Sequence, residues 1–167
     1  DWDVAEKHFR TALTINPKDA MALNNYGTFL YSRGRYDEAV RYLRLLVQDI
    51  DYRARSQAYE NLGLAELKVN DRDGARESFS RSLQLSFSQP QSNLELAELA
   101  YEDGQIKQAA GYYDAFRNLA PQNARSLCLG MKISQAQGNS DAMASYALAL
   151  NNLFPNSLEA RECIVPR

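Results

Sequence analysis

The sequence predicts an all-α protein built as a helix-turn-helix superhelical solenoid, and three observations carry that prediction. Ala5, Ala39, Ala75, Ala109 and Ala142 recur 34, 36, 34 and 33 residues apart. Four positions after each stands a large residue: Phe9, Leu43, Phe79, Tyr113 or Tyr146. A small residue one turn before a bulky one lets a neighbouring helix approach closely and lock against it. Gly34, Asn70, Gly104 and Gly138 then fall at the same period between amphipathic stretches, where a residue tolerant of the left-handed conformation ends a helix.

Taken in order, the elements begin with a half repeat over 1–19, because Asp1-Trp2-Asp3-Val4 leads directly into the second helix of a pair. Full repeats are expected at 20–55, 56–89, 90–122 and 123–156, with a capping helix over 157–167, the whole forming one domain. Gly27, Gly63 and Gly130 each follow a large apolar residue (Tyr26, Leu62 and Leu129) in the first helix of their repeats. Glycine inside a helix costs about 1 kcal/mol relative to alanine, so three at one register imply close packing of the paired helix. Ala97 holds that place in the remaining repeat. Pro17, Pro121 and Pro155 close repeats, since a residue without an N–H stops one helix before the next begins. Pro90 falls later than this pattern, and the segment 49–55 exceeds the period by two residues, so both joints are expected to be long and to bend the stack locally. A helix pair of about 34 residues is the period of tetratricopeptide (TPR) repeats.

Composition narrows the function. The chain has 167 residues and a net charge of −2, with 19 Lys and Arg against 21 Asp and Glu. Charges of both signs are interspersed, which leaves no basic footprint for nucleic acid and no cationic face for anionic lipid. No run approaches 18 apolar residues, so nothing in the sequence reads as a membrane span. His8 is the single histidine and has no partner cluster; metal-ligand spacing, a phosphate-cradling glycine loop and a nucleophile motif are all missing. Neither a cofactor nor a metal is expected, and the chain reads as a non-enzyme.

Cys128 and Cys163 lie 35 residues apart, one repeat, so equivalent positions on successive first helices face each other and a disulfide is geometrically plausible. Two buried free thiols are the alternative.

In a solenoid of this kind the first helices line the concave face, which binds partners. By register, the protein-binding groove is expected at Asn24, Asn25, Thr28 and Tyr31 in one repeat and at Glu60, Asn61 and Leu64 in the next. Glu95, Glu98 and Tyr101 continue it in the third, and Cys128 shares the register in the fourth. None of these is Lys or Arg, which disfavours the basic clamp by which some TPR domains hold a chaperone's terminal carboxylate. Asn25 and Asn61 hold the same place in adjacent repeats. Their amides suit a peptide backbone laid along the groove, or else bond only between neighbouring helices.

Several segments are more specific than the repeat itself. They are Ala22-Leu23-Asn24-Asn25-Tyr26-Gly27-Thr28-Phe29-Leu30-Tyr31, Arg35-Tyr36-Asp37-Glu38-Ala39, Tyr59-Glu60-Asn61-Leu62-Gly63-Leu64 and Gln122-Asn123-Ala124-Arg125-Ser126-Leu127. In this order, over nearly the whole chain, they resemble the type IV pilus biogenesis and stability lipoproteins, the PilW/PilF-type TPR family. The resemblance implies a pilotin-like protein on the periplasmic face of the outer membrane that assists secretin assembly or localisation. It further implies a secretin or another pilus-assembly protein as partner, and membrane attachment only through an N-terminal lipid anchor outside this chain. A monomer is expected. The competing classes are a generic TPR peptide-binding adaptor of another complex and the substrate-recognition arm of a larger enzyme.

Overall fold

The structure, a computed structural model, describes residues 1–164; the last three residues of the expected cap lie outside the described residues. Among the described residues there are ten helices and no strand. They are α1 (Trp2–Ile15), α2 (Ala20–Ser32), α3 (Tyr36–Leu46), α4 (Arg55–Lys68), α5 (Arg72–Leu85), α6 (Pro90–Glu102), α7 (Ile106–Leu119), α8 (Ala124–Ala136), α9 (Ser140–Leu153) and α10 (Leu158–Ile164). The fold is that of a TPR solenoid, as its sequence period predicts.

Helix boundaries follow from local chemistry. The side chains of Asp19, Asp71, Asn123 and Asn139 accept hydrogen bonds from the amides of Ala22, Gly74, Ser126 and Ala142, so orphan donors of the first turns are satisfied. Inside each pair the chain reverses through a residue with positive φ: Gly34, Asn70, Gly104 and Gly138 lie at 74°, 60°, 73° and 71°. Asn70 is the one non-glycine among them, a residue whose short polar side chain tolerates this region.

Between pairs, the joints at 16–19, 86–89, 120–123 and 154–157 have the same length, so 86–89 is not long as the sequence pattern suggested. What sets it apart is Pro90, which opens α6 at the first helical position instead of closing the preceding repeat; its missing N–H is one that would find no helical partner there. The one extended joint is 47–54. It is not floppy: Gln48, Asp49, Tyr52 and Arg55 donate backbone hydrogen bonds to Leu45, Leu46, Asp49 and Tyr52, making three successive turns.

The chain divides into two compact units, an N-terminal unit over residues 1–92 and a C-terminal unit from Asn93 onward. In the N-terminal unit Leu23, Tyr26, Leu30, Ala39, Leu43, Leu46, Ala58, Leu62 and Ala65 form one buried cluster. Its repeats are seated through the glycines. A methyl group on Gly27 would stand 2.8 Å from the Leu43 side chain, and one on Gly63 would stand 2.7 Å from the Phe79 ring. Thus the small register of one helix receives the large register of its partner. Tyr26 is fully buried among aromatic rings, 5.6 Å from Phe9 and 4.7 Å from Tyr42, and its hydroxyl donates to Glu6 at 2.9 Å.

In the C-terminal unit Leu94, Ala97, Ala100, Ala109, Tyr113, Phe116, Leu129 and Ile133 form the corresponding cluster. Here the glycine seat is arranged differently. Gly130 of α8 faces the hydroxyl of Tyr113 on the preceding helix α7, and not Tyr146 of its own pair. Tyr113 donates onward to Gln122 Oε1 at 2.8 Å, and burial pushes its phenol far above the usual tyrosine range.

Candidate protein-binding surface

In the N-terminal unit α2 and α4 present the positions expected to line a groove. Asn25 is exposed, while Asn24, Thr28, Tyr31, Asn61 and Leu64 are partly buried. The amides stay within their own helices: Asn24 Nδ2 donates to Asn25 Oδ1 at 3.4 Å, and Gln57 Nε2 to Asn61 Oδ1 at 3.4 Å. Both bonds are long and weak, and neither links α2 to α4. Thr28 returns its hydroxyl to the backbone of Asn24 and Asn25. The Tyr31 ring rests edge-on against Tyr36 at 5.3 Å. This face therefore keeps carboxamide donors and acceptors that a peptide backbone could engage without breaking anything strong.

Glu60 belongs to the same register but not to the same surface. It is 6% exposed, and its Oε2 accepts from both the N–H and the hydroxyl of Ser92 at 2.8 Å, while Oε1 accepts from Gln57 at 2.9 Å. The Ser92 and Ser82 hydroxyl oxygens lie 3.1 Å apart, and Ser82 donates to the Ser56 carbonyl at 2.8 Å. The result is a closed polar seam joining α4, α5 and the first turn of α6. A buried carboxylate is tolerable only with such donors, so Glu60 is committed to holding the repeats in register.

Glu66 repeats this pattern. Its carboxylate accepts from Arg44 at 2.7 Å and from the Ser78 hydroxyl at 2.6 Å.

Glu95 and Glu98 in the C-terminal unit answer to a cation absent from the sequence-derived groove. Arg125 of α8 forks onto Glu95, at 2.6 Å and 2.7 Å to its two oxygens, and also bonds Glu98. Glu95 is buried and Glu98 half-buried, and the paired carboxylates hold the guanidinium charged. Arg125 sits immediately after Ala124 in the register. Two acids at i,i+3 on one first helix were the available hint that the next first helix supplies a base. Tyr101 lies half-buried against the apolar cluster.

On α8 the equivalent face is filled. Leu127, Cys128, Met131 and Ser134 are buried, and α10 packs on α8 through Ala160, Cys163 and Ile164. The Ser157 hydroxyl caps α10 by accepting from the Ala160 N–H at 3.1 Å. The structure joins Cys128 to Cys163, with Cα atoms 5.9 Å apart. Among the described residues no group of His, Cys, Asp or Glu is arranged to hold a metal ion, and no buried side-chain polar atom lacks a partner.

A stack of helix pairs with glycine seats and partly open first helices defines a repeat scaffold, and two segments, 1–59 and 60–124, match the family model of the tetratricopeptide repeat. The chain belongs to the tetratricopeptide-repeat family. Within it, the chain groups with TPR proteins of the PilF and PilW type. It is 42% identical over 159 residues to the type IV pilus assembly protein PilF of Pseudomonas aeruginosa, a match that covers 95% of this chain and 63% of that protein's length. The solved structure of Pseudomonas aeruginosa PilF superposes with a TM-score of 0.92, covering 96% of this chain and 72% of the other. That of PilW, a widely conserved type IV pilus biogenesis factor, superposes with a TM-score of 0.80 at 32% identity, covering 98% and 75%.

Proposed function

We propose that this chain is the protein-binding part of a type IV pilus biogenesis factor, a non-enzymatic scaffold that captures a segment of a pilus-assembly protein on its first helices. The observation that supports this most is the similarity to PilF, at 42% identity across 95% of the chain. By the same likeness the protein works in the cell envelope, as a pilotin-type lipoprotein on the periplasmic face of the outer membrane, assisting secretin assembly as a monomer. No helix of the described residues is long and apolar enough to cross a membrane, which accords with attachment by a lipid. The Cys128–Cys163 link suits an oxidising compartment. Asn24, Asn25, Thr28, Tyr31, Asn61 and Leu64 form the capture face. Glu60 supports it from beneath through the bonds described above, while Glu95, Glu98, Tyr101 and Cys128 hold the same register in the C-terminal unit.

The test is deletion of the gene in its host, followed by examination of the secretin on a denaturing gel without boiling. Loss of the detergent-resistant multimer, restored by the intact gene, is the expected result. Persistence of the multimer with loss of pili would move the action to a later step of pilus assembly. If both persist, the pilus role is wrong.

A further inference from the structure

Helix α10 is held to the C-terminal unit by little besides one covalent bond. It runs for seven residues, Leu158–Ile164, and only Ala160 is buried. A helix this short does not persist alone in water, because its nucleus fixes several residues for a single hydrogen bond. Leu158 at its start is 64% exposed, and Cys163 and Ile164 are partly buried. Its capping is local: the Ser157 hydroxyl accepts from Ala160, and the Arg161 N–H reaches the Ser157 carbonyl at 3.4 Å. Among the described residues, no hydrogen bond or ion pair joins α10 to α8 or α9. The Cys128–Cys163 link does join it to α8.

Beneath α10 lies an apolar face built by α8, α9 and the start of the joint that follows them. Leu127, Cys128 and Leu150 are buried there, with Ala149 and Phe154 partly so. Both helices are held from elsewhere. Arg125 forks onto Glu95, Gly130 seats against Tyr113, and Asn123 and Ser126 close a capping box at the start of α8. On α9 the Tyr146 hydroxyl accepts from Arg117 at 2.5 Å. Removing α10 therefore uncovers a face without removing what positions it.

We propose that α10 is a redox-governed lid: oxidation seats it over the α8 and α9 face, and reduction releases it while the rest of the C-terminal unit stays folded. Ordering seven residues costs conformational entropy that one buried alanine and two partly buried side chains do not offset. The covalent link lowers that cost by keeping α10 beside its seat. Burial sets the order of the chemistry, since Cys128 is 6% exposed and Cys163 is the more open of the two. On closing, the Cys163 thiolate attacks the disulfide of a thiol–disulfide oxidant, forms a mixed disulfide and expels one of the oxidant's thiolates. The Cys128 thiolate then attacks Cys163 Sγ and expels the second. Two electrons pass from the cysteines to the oxidant, which leaves as a dithiol carrying the two protons they give up. A dithiol reductant runs the same steps in reverse. The lid rests on the α8 and α10 contacts alone and stands whether or not the chain serves a pilus.

The test compares the whole chain after oxidised glutathione and after dithiothreitol, by hydrogen exchange and by iodoacetamide labelling without denaturant. Dithiothreitol should lower amide protection across 158–164 by about ten-fold or more. Both thiols should then label, while far-UV helicity and protection across 90–119 are kept. Return to oxidised glutathione should restore the protection. Cys163→Ser without reductant should match the reduced parent, with Cys128 open to label, which separates loss of the link from other effects of the thiol. Full protection of 158–164 in the reduced chain would overturn the proposal, because apolar contact alone would then seat the helix. Loss of protection across 90–119 together with 158–164 would overturn it too, since the link would then hold the unit as a whole. A released helix that oxidised glutathione fails to reseat would show damage in place of a lid.

Discussion

Helices α2 and α8 hold equivalent places in their repeats, yet one face is open and the other is filled. On α2 the register residues Asn24, Asn25 and Thr28 stay wholly or partly solvent-facing, and their polar bonds are local and weak. On α8 the same register is apolar, buried, and joined to α10 through Cys128. A repeat pattern fixes which positions point to the groove side, but the residue placed there decides whether the groove is a binding face or an internal seam. Polar, half-bonded groups keep it available; apolar ones recruit a cap.

The largest expected effect lies on the filled side. In oxidised protein the Cys128–Cys163 link closes a loop of 35 residues, and Cys128→Ala with Cys163→Ala should cost about 3–4 kcal/mol in urea unfolding. Hydrogen exchange should accelerate in α8 and α10, while Trp2 fluorescence, which reports on the N-terminal unit, moves little. Uniform acceleration across both units would break the distinction drawn between them.

Next in size are the glycine seats. Gly63→Ala pushes a methyl group into the buried Phe79 ring and should cost about 1–3 kcal/mol. Gly130→Ala presses instead on the Tyr113 hydroxyl, so Tyr113→Phe should relieve part of its cost in a double-mutant cycle. No such coupling would mean that Gly130 is seated by something other than that hydroxyl.

Glu6 gives a smaller, pH-dependent effect in the N-terminal unit. Hydrogen bonds from Arg35, Tyr26 and Arg10 hold its carboxyl down to about 2, from an ordinary 4.5. A depressed folded-state value stabilises above the unfolded value and is lost as pH falls through the folded one. The melting-temperature gap between the parent and Glu6→Gln should therefore be full at pH 6, shrink below about pH 4.5 and vanish near pH 2. A gap that is constant with pH would assign the effect to packing.

Smallest in stability, and most pointed in function, is Asn25→Arg with Asn61→Arg. Both side chains make only weak bonds within their helices, so folding should change by less than about 0.5 kcal/mol. Partner capture should nonetheless fall in a pull-down of the secretin. Unchanged capture would move the site off this face.

The repeat architecture was legible because it is encoded locally. The turn residues Gly34, Asn70, Gly104 and Gly138 and the small-to-large spacing each report on contacts within about one repeat. Burial of charge was not legible, because Glu60 and Glu95 look like groove residues until Ser92 and Arg125, some thirty positions away, are seen to reach them. The partner of Gly130 was hidden for a similar reason: the spacing names Tyr113 and Tyr146 equally, and only packing chooses. Joint 47–54 showed its excess length in the period, but not that the excess would fold into turns that lift Ile50 out.

The Glu60 seam bears on whether these repeats are interchangeable parts. Consensus arrays can be lengthened, shortened or shuffled because each module meets its neighbour through the same apolar contact. Here the second full helix pair carries an acid whose donors are the hydroxyl and the main-chain N–H of the next pair's Ser92. Excised and grafted beside a generic neighbour, that pair would take with it a buried carboxylate that keeps only Gln57 of its three donors. The order of repeats in this protein is therefore written into its interior chemistry, like a key cut for one lock, and an engineer recombining the array would have to move Glu60 and Ser92 together.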